Sequence, residues 1–449
     1  MSMSRRVTRR HMLQRTALAG SGMFLGCHSE RTGTVAKSPN EKLNIAVIGI
    51  GGRGRTNLDA VASQNIVALC DVDDKRAGDA YARYPAARKF YDFRRMFDAI
   101  ESQIDAVVVN TPDHTHFHPT LMALERGKHC FTEKPLAHSV WEVRKLTELA
   151  AKKKVATQLG IQRHARDSVH RAVEIVRSGV LGDVRECHAW VLSDRGGPAV
   201  PKDTPPVPSH LKWDLWLGPA SMRPYHSAYA PYGWRFWWDF GAGESGNWGC
   251  HVLDIPFFAL GLKYPTRVEV DPGPVHSLTT PKALRTRFDF PARGEHPALK
   301  LHWHCGKTPP KILIRHNLAV DTSVDTAAPP TGDSAGALFL GSEGMLLAGF
   351  KRVDLYPKEK FKGFVAPPPT VPKSPGFYDE WINACKGAST PPSCHFDYGG
   401  PLTETVLLGN AAYRAGTSFE WDAENLRARG TDKIDRYLRD EYRAGWEVS

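Results

Sequence analysis

Apolar and polar positions alternate in blocks along the first third of the chain. An apolar run of strand length at 43–48 leads into Gly49-Ile50-Gly51-Gly52-Arg53-Gly54 and a helix-like segment at 55–63. A second apolar strand covers 66–72, a short strand 89–91, and a helix 92–101. Strands at 106–110, 129–132 and 155–161 then alternate with helices at 119–126 and 139–153. Repeated strand–helix units of this length predict a parallel, doubly wound sheet. Beyond residue 165 the strand-like runs at 185–192, 266–270, 299–303 and 311–314 are separated by longer irregular segments, which predicts an α+β arrangement. Near the C-terminus, apolar residues at 434, 437 and 438 within a charged segment predict an amphipathic helix over 432–442.

The glycine turn carries the first chemistry. In a strand–turn–helix unit, Gly49 permits the tight turn, Gly51 permits close approach of a pyrophosphate, and Gly54 permits close packing of helix on strand. The helix N-terminus offers unpaired N–H groups to phosphate. Asp71 follows Gly49 by 22 residues at the end of the second strand, near the spacing of about 20 expected of the acid that binds the ribose hydroxyls. A carboxylate there favours NAD over NADP, although Arg53 and Arg76 offer charge for a 2′-phosphate. Ligands of such sheets sit at the carboxyl ends of the strands, so Thr111, Pro112, His114 and Glu133 are expected around the nicotinamide.

Length and composition agree with a two-domain globular protein. The chain has 449 residues, 41% hydrophobic and 24% charged, enough to form cores without a bilayer. The net charge of +11 includes five arginines in the first 26 residues; the remaining +6 is no nucleic-acid signature. Eight scattered cysteines show neither a C-x-x-C pair nor zinc-type spacing, so no metal site and no disulfide framework is expected. His114, His116 and His118 read as a loop over the nicotinamide rather than as metal ligands. The N-terminus reads as an address. Thr8-Arg9-Arg10-His11-Met12-Leu13-Gln14 precedes a short, weakly apolar stretch at 16–26, which resembles a twin-arginine export signal to the periplasm. Phe24-Leu25-Gly26-Cys27 resembles an imperfect lipoprotein box, with Cys27 as the candidate lipid anchor.

Taken together, the glycine turn, Thr111-Pro112-Asp113-His114-Thr115-His116 and Glu133-Lys134-Pro135 resemble the Gfo/Idh/MocA family of sugar and polyol oxidoreductases. Trp213-Asp214-Leu215-Trp216-Leu217-Gly218-Pro219, Trp237-Trp238-Asp239-Phe240-Gly241 and Gly249-Cys250-His251 extend the resemblance toward exported bacterial members. The resemblance implies an export signal and tether at 1–41, an NAD-binding Rossmann domain at 42–163, and a substrate and oligomerisation domain at 164–449. That last domain would be built on a large, open, mostly antiparallel sheet, and the protein would be a homo-oligomer, dimer or tetramer. Lys134 and His251 match the family's catalytic positions, Lys134 as an ammonium donor to the reacting hydroxyl and His251 as the stronger candidate for base, because an ordinary imidazole is largely neutral at pH 7. Where many relatives carry an aspartate that works with the histidine, this chain has Asn247, which can position a hydroxyl but cannot take its proton.

Arg163, His164 and Trp238 supply further donors and a stacking face for a saccharide. A long proline-rich loop at 198–231 is expected to shape the site, and the prolines at 367–375 read as an extended surface arm toward a neighbouring subunit. Three readings remain open at this point. One is an NAD-dependent oxidoreductase acting on a hydroxyl of a saccharide or cyclic polyol. Another is an NAD-dependent glycosidase working through transient C3 oxidation and elimination. The last is a catalytically silent sugar-binding protein.

Overall fold

The computed structural model describes residues 38, 41–271, 273–318, 325–331 and 334–448. The expected export signal, Cys27 and nearly all of the tether lie outside these residues. Six parallel strands form the first sheet: β1 (Asn44–Ile48), β2 (Asn65–Cys70), β3 (Arg88–Phe90), β4 (Ala106–Val109), β5 (His129–Glu133) and β6 (Thr157–Gly160). Their spatial order is β3-β2-β1-β4-β5-β6, the doubly wound arrangement with its switch point between β1 and β4. All four residues of β4, Ala-Val-Val-Val, are buried, as expected of a central parallel strand covered by helices on both faces.

Helices Arg53–Ala60, Asp74–Arg83, Phe93–Ile100, Phe117–Glu125 and Val140–Lys153 connect these strands. The periodicity misses Asp74–Arg83, whose N-terminus is capped by the Asp73 side chain accepting from the amides of Lys75 and Arg76. Helix Val140–Lys153 starts on a capping box formed by Ser139 and Glu142.

The second sheet has nine strands: β7 (Val184–Leu192), β8 (Arg267–Val270), β9 (Leu284–Phe290), β10 (Leu299–Gly306), β11 (Ala335–Gly341), β12 (Met345–Ala348), β13 (Val353–Tyr356), β14 (Phe419–Asp422) and β15 (Arg427–Arg429). Their order is β13-β12-β11-β7-β10-β9-β8-β14-β15, antiparallel throughout except for the parallel pair β7 and β10. Alternation along β7 and β10 sends Cys187, Ala189, Leu301 and Trp303 into the main core. The 20-residue helix Phe396–Ala415 packs on helix Val140–Lys153, and there Arg144 donates through Nε and Nη2 to the two carboxylate oxygens of Glu404, both at 2.8 Å. Removing either partner of so buried a pair costs about 3–5 kcal/mol.

Two expected elements are corrected. Residues 311–314 are not a strand; they belong to the short helix Lys311–Arg315, which turns Ile312 and Leu313 onto Trp190, Leu338 and Leu347 on the outer face of the second sheet. The tail at 432–442 forms only the single 3₁₀ turn Asp435–Tyr437, held by Ile434 and Leu438 in the core and by the Asp440 carboxylate at 2.7 Å from His138 Nδ1. The proline-rich arm lies against this chain itself: Arg171 donates to the Pro367 carbonyl, and the amides of Thr370 and Val371 donate to Glu174. Among the described residues, no helix is long and apolar enough to cross a membrane.

Candidate active site

A cavity of about 410 Å³ runs from the glycine turn, past the ends of β4 and β5, to the second sheet. At its first end Gly49 has φ +78°, and a Cβ on Gly54 would lie 2.1 Å from the Gly49 carbonyl, so helix and turn touch only because Gly54 lacks a side chain. Gly54 therefore packs, while Gly49, Gly51, Gly52 and Arg53 line the cavity. The space beside Gly51 is filled by the Arg76 guanidinium, 2.5 Å from where a Cβ would stand. Asp71 is held by two backbone donors, Ile50 N to Oδ2 at 2.6 Å and Asp73 N to Oδ1 at 3.0 Å. Burial pushes its pKa up, against those hydrogen bonds.

These residues fit a dinucleotide. The N-cap Gly52 of helix Arg53–Ala60 supplies no side-chain acceptor, and no acidic residue occupies the first turn, so an anionic pyrophosphate meets N–H groups without a competing carboxylate. Asp71 stands at the carboxyl end of β2 as acceptor for a ribose diol.

At the middle of the cavity, Thr111 and Pro112 line the wall and Glu133 is tied into a buried amide network. Its Oε1 accepts from Asn57 Nδ2 at 2.8 Å and from Gln162 Nε2 at 2.6 Å, and Tyr378 Oη donates to Asn57 Oδ1 at 2.7 Å. Lys134, next in the chain, donates from Nζ to both the backbone carbonyl of Asn247 (2.7 Å) and its side-chain Oδ1 (2.8 Å). Burial and the nearby Arg235 charge lower the Lys134 pKa to about 8, against Glu133 and Asp113.

Asn247 belongs to the π-helical turn Ser245–Gly249, which leads directly into Cys250–Val252 and so carries His251 to the same wall. The amide's orientation is set by charge: Oδ1 faces the ammonium and Nδ2 donates to Glu244 Oε2 at 2.9 Å. Glu244, almost fully buried, also accepts from Arg195 Nε at 2.6 Å and Ser193 Oγ at 3.0 Å. His251 is buried, with its Nδ1 lacking any protein hydrogen-bond partner. Burial, then the charges of Lys134, Arg163 and Arg53, hold it well below its ordinary pKa, so it is neutral.

Around this wall Arg163 lies over the rings of Trp248 (4.8 Å) and Phe350 (4.6 Å), and Arg235 lies over Trp234 (4.2 Å) and Tyr232 (4.7 Å). The cavity thus ends in guanidinium groups, aromatic faces and the Lys134–His251 pair.

Lys134, His251, Asn247, Arg163, Arg53, Asp71, Thr111, Pro112 and Glu133 all line one cavity. Besides Gly54, which packs helix on turn, three expected residues do not. His164 is turned into the core, with Nδ1 against the Asp254 carboxylate at 2.9 Å and its ring stacked on Phe258 at 4.3 Å. Trp238 is buried on the far side of its loop, donating to the His276 carbonyl, with Arg414 over its ring. His114 is buried between the carbonyls of Phe240 and Trp216, and burial lowers its pKa to about 3. Its neighbour His116 lines the cavity instead, clamped between the carbonyls of Thr111 and Pro135 at 2.7 Å each. His118 is bonded to the Trp446 carbonyl, so the three histidines do not converge on a common point.

Sequence reasoning misses Asn57, Gln162, Arg195, Glu244, Trp248 and Tyr378. Glu244, Asn247 and His251 follow i, i+3, i+7 spacing, a signal that one helical face carries all three. Tyr378 and Arg195 arrive from distant elements and leave no local trace.

Residues 43–161 match the model described as the oxidoreductase family with NAD-binding Rossmann fold (Gfo/Idh/MocA), and residues 183–290 match that family's C-terminal alpha/beta domain. An inositol 2-dehydrogenase of Rubrobacter xylanophilus is 35% identical over 153 residues, 32% of this chain and 43% of that protein. A glycosyl hydrolase family 109 protein of Solibacter usitatus is 31% identical over 199 residues, 40% of this chain and 44% of that protein. The matched segments span less than half the length of these curated relatives. Among solved structures, the WlbA dehydrogenase of Bordetella pertussis, in complex with NADH and UDP-GlcNAcA, superposes with a TM-score of 0.60 at 16% identity, covering 85% of this chain and 99% of that one.

Proposed function

Because the chain belongs to the Gfo/Idh/MocA oxidoreductase family, with both its NAD-binding Rossmann and C-terminal α/β domains, we propose that it oxidises a hydroxyl of a saccharide or cyclic polyol with NAD. The single observation that carries this reading is the Lys134–Asn247 contact at the meeting point of the dinucleotide cradle and the aromatic, guanidinium-lined end of the cavity. Gly49, Gly51, Gly52, Arg53 and Asp71 would hold NAD, which supplies the acceptor for the carbinol hydride when bound.

A substrate hydroxyl must lose its proton as its carbon is oxidised. Neutral Lys134 keeps two N–H bonds and one lone pair; both Asn247 acceptors take the N–H groups, so the lone pair is aimed along the remaining direction. A pKa of about 8 makes the neutral amine accessible near physiological pH. Lys134 is therefore the proton acceptor. The sequence favours His251 for that role, but an imidazole held so far below its usual pKa is a weak base. His251 instead orients the hydroxyl as a neutral hydrogen-bonding group. Trp234, Trp248 and Tyr232 offer faces to the C–H side of a sugar ring, and Arg163 and Arg235 offer donors to its oxygens.

The glycosidase relative keeps a second reading in view: transient oxidation of a C3 hydroxyl, its hydride passing to NAD, would give a ketone that acidifies the neighbouring C–H and permits elimination, the hydride then returning to the sugar. Incubating the NAD-loaded protein with a panel of hexosides and inositols separates the two. A keto product with stoichiometric reduced nicotinamide supports net oxidation; released aglycone without net reduction supports elimination. Neither signal with any of the panel counts against both.

Our reading further places the protein outside the cytoplasm, exported folded by the twin-arginine route to the periplasm and anchored through Cys27, on the strength of Arg9-Arg10 and the lipobox-like Phe24-Leu25-Gly26-Cys27. It also takes the protein as a homo-oligomer, dimer or tetramer.

A further inference from the structure

On the outer face of the second sheet, away from the cavity, three histidines meet. His302 and His304 occupy alternate positions on β10 and so point to one side, and His188 lies opposite His302 on the adjacent parallel strand β7. Their rings are nearly parallel: His188 lies 4.4 Å from His302 at 9° and 5.3 Å from His304 at 18°. One ring nitrogen of each lies within 4.8 Å of the other two.

We propose that His188, His302 and His304 form a binding site for a divalent transition metal of the zinc class. Imidazole nitrogen is a preferred donor for such ions, and three protein nitrogens with a fourth open position is a recurrent zinc arrangement. Zinc–nitrogen bonds of about 2.0–2.1 Å in tetrahedral geometry put donors about 3.3 Å apart. His188 Nδ1 and His304 Nε2 already stand 3.0 Å apart, close to that spacing.

Glu186, two residues before His188 on the same face, accepts from His188 Nε2 at 2.8 Å. A proton fixed on Nε2 leaves the lone pair on Nδ1, the atom turned toward the cluster. A carboxylate behind a metal-binding histidine orients the ring and raises its basicity. Glu186 also lies 3.5 Å from His302 Nε2, adding negative charge beside the site. The nearby Arg287 is already neutralised by Asp289 and Glu269. His302 and Glu186 keep solvent access, 24% and 41% exposed at their side chains, so an ion can enter and a water can complete its shell.

The contrasting cluster His164, Asp254 and Cys394 is wholly buried and contains a thiol, which provides the discriminating test. Protein purified without a histidine tag and stripped with chelator is titrated with Zn²⁺ and, separately, with Co²⁺. One equivalent should bind, with the cobalt form showing strong visible bands and no near-ultraviolet thiolate band. His302→Ala with His304→Ala should weaken that equivalent by about a hundredfold or more, and Glu186→Gln by about tenfold. His296→Ala, an exposed histidine outside the cluster, should leave it intact. Metal should raise the melting temperature of the parent protein and of His296→Ala but not of the double variant, whose metal-free melting temperature checks that it folds. A thiolate band, or equal binding by parent and double variant, overturns the proposal.

Discussion

Lys134 Nζ rests on two oxygens of a single residue, the Asn247 carbonyl at 2.7 Å and its Oδ1 at 2.8 Å. An aspartate at 247 could make the same two contacts, but its charge would stabilise the ammonium. The neutral amide positions the lysine while leaving its pKa low, and this gives the unusual residue a chemical purpose. Glu244 then holds the amide's other end, so the negative charge sits one residue removed from the lysine.

Asn247→Asp should raise the Lys134 pKa by about one pH unit or more, since a carboxylate within hydrogen-bond reach favours the ammonium. The pH at which nicotinamide reduction reaches half its maximum should move upward accordingly, with little change in NAD affinity. An unmoved midpoint would separate Asn247 from the lysine's ionisation.

Lys134→Met removes the proposed proton acceptor with similar bulk. Turnover should fall by about 10²–10⁴, the usual contribution of a positioned acid–base group, while NAD binding measured by fluorescence titration stays within about threefold. A comparable loss in cofactor binding would mean that the lysine serves the cradle rather than the chemistry.

Asp71→Ala should weaken NAD binding by about tenfold or more, the loss of charge-assisted bonds to the ribose. Discrimination against NADP should narrow, because the charge that repels a 2′-phosphate is gone and Arg76 remains beside Gly51. The amides of Ile50 and Asp73 lose their acceptor too, so the melting temperature should also drop. Parallel titrations with both cofactors and a thermal melt check this.

Much of the cradle was legible because its logic is local: Gly49, Gly54 and Asp71 act through a strand, a turn and the next strand. Lys134 and His251 were visible as motif residues, yet their roles depend on Asn247 and on burial that no motif records. His164 sits beside Arg163 in sequence, but the turn after β6 sends one side chain to the cavity and the other into the core against Asp254. The apolar Lys-Ile-Leu-Ile stretch at 311–314 reads equally as strand or helix at that length, and packing on Trp190 decides for helix. Tyr378 reaches Asn57 across 321 residues of chain, a contact only the tertiary fold creates.

The His138–Asp440 pair links tail docking to pH. Burial opposes the imidazolium, but the Asp440 charge and hydrogen bond prevail and raise His138 to about 9, while Asp440 is lowered by His138. The imidazolium's contribution is full below its unfolded pKa of about 6.5 and is lost as pH rises through about 9. On the acid side, the Asp440 contribution is present above its unfolded pKa of about 3.9 and is lost as pH falls through its lower folded value. Hydrogen exchange of residues 434–448 should therefore speed up, beyond its intrinsic pH dependence, between about pH 7 and 10 in the parent protein. His138→Asn should abolish that extra increase.

The most direct test of the account is the pH dependence of single-turnover nicotinamide reduction by the NAD-loaded protein with an active sugar or polyol. With Lys134 as proton acceptor, the rate should rise with pH through a midpoint near 8, where the amine becomes neutral. A rate that is flat above pH 7, or that falls through 8, would show that the lysine acts as an ammonium and that the proton leaves by another group.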